Sequence, residues 1–356
     1  MRVLVAPDKF AGTLTAVEAA EAIADGWRRR APADELDLAP MSDGGPGFID
    51  VLHAALGGDL VATTVPGPLQ ETVPATTLFL GETAYVESAQ ACGVHLTGGR
   101  RGEEATSYGV GALVGKAVDA GARRVVIGLG GSGTNDGGAG LLAALGATGD
   151  RPLDEGAAGL AGISRVELPQ LDVTLVAATD VDSALTGLFG ATKAFGPQKG
   201  IAEDRLPAVD AVLEAFAAAT DRRISLEPGA GAAGGLGFAL MLLGATREPG
   251  LELVAAAVRL AERAAAADLV LTGEGAFDFS SRSGKVPYGV ASIAESALRP
   301  CVALAGQVLV GAREMRALGV ESAYSLVDMV GEERAFADPA GSLAAVAERV
   351  ARTWSR

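Results

Sequence analysis

Residues 125–146 read VVIGLGGSGTNDGGAGLLAALG. Val125, Val126 and Ile127 make a short unbroken apolar run, the pattern of a strand buried on both faces of a parallel sheet. The glycine-rich turn behind it is expected to open a helix whose apolar positions are Leu141, Leu142 and Leu145. Glycines let a backbone approach a ligand closely, and the first N–H groups of a helix carry partial positive charge, so the stretch reads as a cradle for an anion. Further glycine-rich turns follow apolar runs elsewhere in the chain, which points to a site assembled from several strand ends.

Outward from this stretch the chain alternates strand and helix. Val3–Ala6 reads as a first strand, and Thr15 with Glu18 has the spacing of a capping box opening a helix whose apolar stripe is Val17, Ala20, Ala24 and Trp27. Leu36–Ala39 reads as a second strand, ending in the loop PMSDGGPG at residues 40–47. Between Leu60 and Ser88 the pattern turns to short Thr- and Val-rich strands broken by Pro66, Pro68, Pro74 and Gly81. Val173–Ala177 is another strand, and a helix is expected over Leu206–Ala219. An Ala-rich helix over Leu251–Ala267 and a strand over residues 268–272 follow, and the tail alternates again to a last helix over Ser342–Trp354. Such alternation specifies an α/β fold with a doubly wound parallel sheet. The expected organisation is two α/β domains: a flavodoxin- or Rossmann-like domain made of residues 1–64 and 246–356, and an inserted α/β domain over 65–245 that carries the cradle.

Composition narrows the function classes. The 356 residues are 49% hydrophobic with only 4% aromatic, so Ala, Val and Leu dominate packing. A formal charge of −15 opposes binding to nucleic acid or an anionic membrane, since both need a basic surface. No apolar run approaches the length of a membrane span and the N-terminus MRVLVAPDKF lacks the apolar core of a signal peptide, so the expected location is cytoplasmic. Cys92 and Cys301 suit a reducing compartment, and their spacing supports neither zinc nor a disulfide framework.

Lysine is rare here. It occurs only at 9, 116, 193, 199 and 285, and all but Lys116 lie in or beside Gly- or Pro-punctuated turns. A compact ammonium on a flexible stem suits phosphate. Gly128, Gly130 and Gly133 satisfy G-x-G-x-x-G, but Gly229, Gly231 and Gly234 do so too, in a chain with 49 glycines; the spacing alone does not specify a dinucleotide. The Walker A pattern is absent, because Gly115-Lys116 and Gly284-Lys285 both lack its upstream Gly. Without H-E-x-x-H, G-x-S-x-G or a Cys/His pairing, hydrolase and metalloprotease chemistry has no residue pattern to rest on. Acids are the stronger lead: Asp8, Asp43, Asp180 and Glu274 each follow an apolar run, at the carboxyl edge where α/β sheets gather ligand groups. Carboxylates for Mg²⁺ and an attacking hydroxyl, with cations and backbone N–H groups for phosphates, are what phosphoryl transfer requires.

The segments APDKFAGTLTA, SDGG, ESAQACG, TSYGVG, GLGGSGTNDGGAG, ATDVDSAL, FGPQKG, PGAGAAGGLG and TGEG with GKVP occur in the order found in the type I glycerate kinase family, which this sequence resembles from Ala6 to about Gly289. The resemblance implies ATP and Mg²⁺, D-glycerate as acceptor, commonly at its 2-hydroxyl, and an active site in the cleft between two α/β domains. A kinase for a related small hydroxy acid and a non-catalytic sugar-acid sensor are the alternatives. On this footing Gly130, Gly131, Ser132 and Thr134, with Lys199 or Lys285, are expected to grip phosphate oxygens, and Asp180 and Glu274 to bind Mg²⁺. Lys9 and Arg282 are expected to hold the glycerate carboxylate and Asp43 or Asp8 its hydroxyl, with Asp180, Lys285 and Asp43 as the catalytic set. The chain departs from the family pattern at Lys9 and Ala11, which flank Phe10 where Ser and Lys are usual, at Pro46, at Ser183-Ala184 and in AFDFSSRSGK.

Overall fold

The protein is described here by a computed structural model covering residues 1–10, 12–278 and 285–355. Among the described residues the strands are β1 (Arg2–Val5), β2 (Glu35–Leu38), β3 (Asp59–Pro66), β4 (Thr72–Leu80), β5 (Thr83–Glu87), β6 (Arg124–Gly128), β7 (Thr148–Gly149), β8 (Val166–Glu167), β9 (Thr174–Ala178), β10 (Thr246–Glu248), β11 (Leu269–Phe277), β12 (Cys301–Val308) and β13 (Ser322–Ser325). They divide between two compact units: Met1–Asp43 with Asp50–Leu56 and Leu251–Arg356, and Gly44–Ile49 with Gly57–Gly250. The expected boundary at residue 64 falls inside β3, which pairs along its whole length with β4. The one expected at 246 falls at β10, which pairs with β9. Both strands therefore belong to the second unit's sheet.

The first unit has a five-stranded, all-parallel sheet in the order β13-β12-β11-β1-β2. Counted within the unit this is the order 2-1-3-4-5 of flavodoxin-like folds, so the chain leaves β1 in one direction and β11 in the other. Val3, Leu4 and Val5 are fully buried, as are Leu269, Val270 and Leu271 beside them. β11 is longer than the expected strand over 268–272. It runs on to Phe277 because Gly273, Glu274, Ala276 and Phe277 continue the ladder with β12.

Thr15 caps the helix Ala16–Arg30 and Glu18 completes the capping box. Its buried face is wider than the expected stripe and includes Ile23 and Gly26, while Val17 is only half-buried. This helix packs on the terminal helix Pro339–Trp354 so closely that a Cβ at Gly26 would lie 1.9 Å from the Ala344 carbonyl oxygen. The expected Ala-rich helix over 251–267 is two helices, Gly250–Ala257 and Leu260–Ala266, because Arg259 takes a left-handed conformation with φ of 54°. The break turns Arg263 onto the Asp37 carboxylate, at 2.5 and 3.1 Å, and onto the Leu38 carbonyl at 2.6 Å.

The second unit has a six-stranded mixed sheet in the order β10-β9-β6-β5-β4-β3. Its four strands from β10 to β5 are parallel, and β4 and β3 extend them as an antiparallel meander. No helix among the described residues is long and apolar enough to cross a membrane.

The Gly26 contact sets a test of helix packing. Gly26→Ala should cost roughly 3 kcal/mol, at the upper end for overpacking, against about 1 kcal/mol for Thr15→Ala at the helix cap. Urea unfolding of both variants checks this ranking, and a Gly26→Ala no weaker than Thr15→Ala would contradict the close approach.

Candidate functional site

In the first unit, the loops leaving β1 and β11 begin side by side at the point where the strand order reverses, the place where open α/β sheets bind ligands. The Asp8 N–H donates to the Gly273 carbonyl at 2.8 Å, fixing the β1 exit loop against β11. No side chain fits at Gly273, where a Cβ would meet the Leu304 carbonyl oxygen at 2.2 Å. The Asp8 carboxylate is 6% exposed and accepts the Lys9 backbone N–H at 2.7 Å. Lys9 Nζ lies 3.6 Å from Asp8 Oδ1 and 3.8 Å from Asp43 Oδ1, so one ammonium bridges two of the expected acids. Burial pushes the Asp8 carboxyl up to about 6; the Lys9 charge opposes the rise and the Asp43 charge adds to it. Glu274, also buried, has Lys285 Nζ at 3.7 Å, and that ammonium is 3.8 Å from Asp278 Oδ1 as well. Lys285 stands at the start of the helix Val286–Ser296. Arg282 and Ala11 lie outside the described residues.

In the second unit, the cradle differs from its expected form. The helix after β6 is only Ala139–Ala144, and ten residues separate it from the strand. Its first turn is already satisfied by an anion belonging to the protein. The fully buried Asp136 carboxylate accepts the N–H groups of Gly138 (3.0 Å), Gly140 (3.2 Å) and Ser107 (2.8 Å), and the Ser107 hydroxyl at 2.8 Å. The Ser107 hydroxyl in turn accepts the Leu141 N–H at 3.0 Å. A helix start occupied in this way does not bind phosphate, and any anion grip must come from the loop before it.

That loop has the means. Among the described residues, the backbone N–H groups of Gly130, Gly131 and Ser132 donate to no protein acceptor. Lys199 is 2% exposed, and its ammonium donates to Ser132 Oγ at 3.1 Å and to the Thr134 carbonyl at 2.6 Å. Both partners are neutral, and no carboxylate lies within ion-pair distance of Lys199 among the described residues. Burial pulls the Lys199 ammonium down to about 8, against the opposing influence of Cys92 and Asp136. Gly130, Gly131, Ser132 and Lys199 line a cavity of about 290 Å³ together with Val181 and Phe195. Thr134 does not line it; this residue is buried and serves through its carbonyl. Asp180 is the second residue beyond β9 and is half-buried, next to the cavity-lining Val181.

The expected residues thus fall into two constellations: Asp8, Lys9, Asp43, Glu274 and Lys285 in the first unit, and Gly130, Gly131, Ser132, Thr134, Asp180 and Lys199 in the second. Asp136 and Ser107 are the residues that sequence reasoning passed over. The signal was present in Asn135-Asp136-Gly137-Gly138, an acid directly before two glycines and an apolar helix, a position suited to capping.

Both constellations belong to a parallel-sheet α/β protein with acids and cations at strand ends, the general form of a small-molecule phosphotransferase. The model of the glycerate kinase family matches residues 3–355. The chain is 39% identical to a glycerate kinase of Bacillus subtilis, over 92% of this chain and 90% of that protein. It is 36% identical to the glycerate 2-kinase of Escherichia coli, over 93% and 92%. A solved structure from Salmonella typhimurium LT2, described as a candidate glycerate kinase 2, superposes with a TM-score of 0.80 at 35% identity, covering 99% of this chain and 98% of that one. The chain belongs to the glycerate kinase family, a family of enzymes.

The Asp8 environment makes a pH-dependent prediction. Its folded value of about 6 lies above the ordinary 3.8, so the buried carboxyl favours the folded state below about pH 4 and that contribution is lost as the pH rises through 6. Asp8→Asn should therefore raise stability by roughly 1–3 kcal/mol at neutral pH and change it little near pH 3.5. Urea unfolding at the two pH values checks it, and destabilisation at neutral pH would show that the Lys9 pairing outweighs burial.

Proposed function

We propose that the chain transfers the terminal phosphoryl group of ATP to the 2-hydroxyl of D-glycerate, forming 2-phosphoglycerate in the organic-acid catabolism of the cytoplasm. The observation that carries the reading is the buried Lys199 ammonium, held only by neutral groups beside the open N–H groups of Gly130, Gly131 and Ser132. Burying a cation without a counter-ion is costly, and a phosphate oxygen is the partner that offsets the cost. Family membership supplies the acceptor.

In this reading Gly130, Gly131, Ser132 and Lys199 bind phosphate oxygens, and Thr134 positions Lys199 through its carbonyl. Lys9 takes the glycerate carboxylate, Asp8 and Asp43 face the hydroxyl, and Lys285 neutralises charge on the transferred group. Asp180 and Glu274 are each a carboxylate that would serve as a ligand to Mg²⁺. No group of three or more His, Cys, Asp or Glu side chains able to hold a metal occurs among the described residues. Mg²⁺ is commonly bound by one or two carboxylates with substrate phosphates and water. Held there, Mg²⁺ would supply positive charge to offset that of the phosphates.

The test is incubation with ATP, Mg²⁺ and D-glycerate, read by phosphorus NMR. A 2-phosphoglycerate signal is the expected result; 3-phosphoglycerate would overturn the regiochemistry, and no product at all would overturn the reading. Asp180→Asn should lower kcat at least roughly a hundredfold, since a metal ligand or base acts on the transition state.

A further inference from the structure

The first unit carries a second recess that none of these roles uses. It has a volume of about 230 Å³ and opens among Phe10, Gly275, Gly306, Gln307, Val327 and Phe336. It sits at the carboxyl edge of β11 and β12, where Gly275 and Gly306 belong to adjoining strands. The strands approach so closely that a Cβ at Gly306 would lie 2.4 Å from the Gly275 carbonyl oxygen, which makes this wall bare peptide. Two of its lining residues are chain neighbours of the acidic constellation. Phe10 follows Asp8 and Lys9 in the same loop, its ring lies against Gly273, and Gly275 follows Glu274.

Its chemistry restricts the occupant. Among the described residues no Asp, Glu, Lys or Arg lines the recess, so its described side chains offer no charge to an ionic ligand. The Thr13 hydroxyl donates to the Phe10 carbonyl at 2.9 Å, which leaves it only as an acceptor. Gln307 is half-buried, and among the described residues its side-chain amide has no hydrogen-bond partner. An amide presents one acceptor and two donors in a plane, the complement of the amino group and ring nitrogen of adenine. At the mouth, Phe336 is 59% exposed, a large aromatic ring left in water where a base could stack on it. The volume lies below the roughly 300–1,000 Å³ of sites that enclose drug-sized ligands, so it takes one fused ring and not a whole nucleotide.

We propose that this recess is the adenine site of the nucleotide substrate, with the Gln307 amide reading the base edge and Phe336 covering its face. The proposal rests on the ATP-dependent reading above and adds to it the location and the selectivity of base recognition. Its test is ADP binding by titration calorimetry, independent of turnover, on the full chain and on Gln307→Ala and Phe336→Ala. Both side chains are partly or largely exposed, and melting temperature checks that the variants fold. Gln307→Ala should weaken ADP about tenfold and reduce the ATP-over-GTP preference in kcat/KM by a similar factor. Phe336→Ala should weaken ADP at least about threefold, and KM for D-glycerate should stay unchanged in both. If both variants bind ADP within about twofold of the parent while the parent phosphorylates glycerate, the base site is elsewhere and the functional reading stands. If the parent itself neither binds ADP nor transfers phosphate, both readings fall.

Discussion

The Asp136 carboxylate accepts three backbone N–H groups and one hydroxyl while fully buried, and the shape of the second unit's cradle follows from that arrangement. A carboxylate excluded from water has to be saturated with donors, and these come from the turn Gly138–Gly140 and from Ser107. Burial holds the Asp136 carboxyl above its ordinary range, against the same four hydrogen bonds, which oppose the rise. Because this anion fills the start of the helix Ala139–Ala144, the donors without a protein acceptor are found in the loop upstream. Thr134 faces Lys199 with its carbonyl, and among the described residues the N–H groups of Gly130 to Ser132 have no protein acceptor.

A related constraint shapes the first unit. Where the strand order reverses between β1 and β11, their exit loops part and leave room at the sheet edge. Asp8 is fixed there by its own N–H on Gly273, and Lys9 is drawn between Asp8 and Asp43. In a chain of net charge −15, such local cations decide what the edge can hold, because they act within a few ångströms while distant surface charge is screened.

Much of this was legible in the sequence because it is local. The capping box of Thr15 and Glu18, the buried run of Val125 to Ile127 and the acids following strands need only neighbours in the chain to be read. Three features were not legible, each for a stated reason. The extension of β11 through Glu274 depends on its ladder with β12, and the break at Arg259 serves a contact between Arg263 and Asp37, 226 residues away. The assignment of β3 and β10 to the second sheet depends on which strands they pair with, which their own residues do not encode.

By itself the sequence determined the α/β class, the order of strands and helices, and the residue types at the strand ends, because periodicity and turn chemistry are short-range properties. It also carried the family resemblance, in segments spread over most of the chain. Only the tertiary structure decided that Asp136 rather than a ligand occupies the helix start, that Lys199 is buried against Ser132 and Thr134, and that Lys9 joins Asp8 to Asp43. These are contacts between residues up to 67 positions apart. What they share is burial, which makes the satisfaction of each charge depend on groups that only the folded chain brings together.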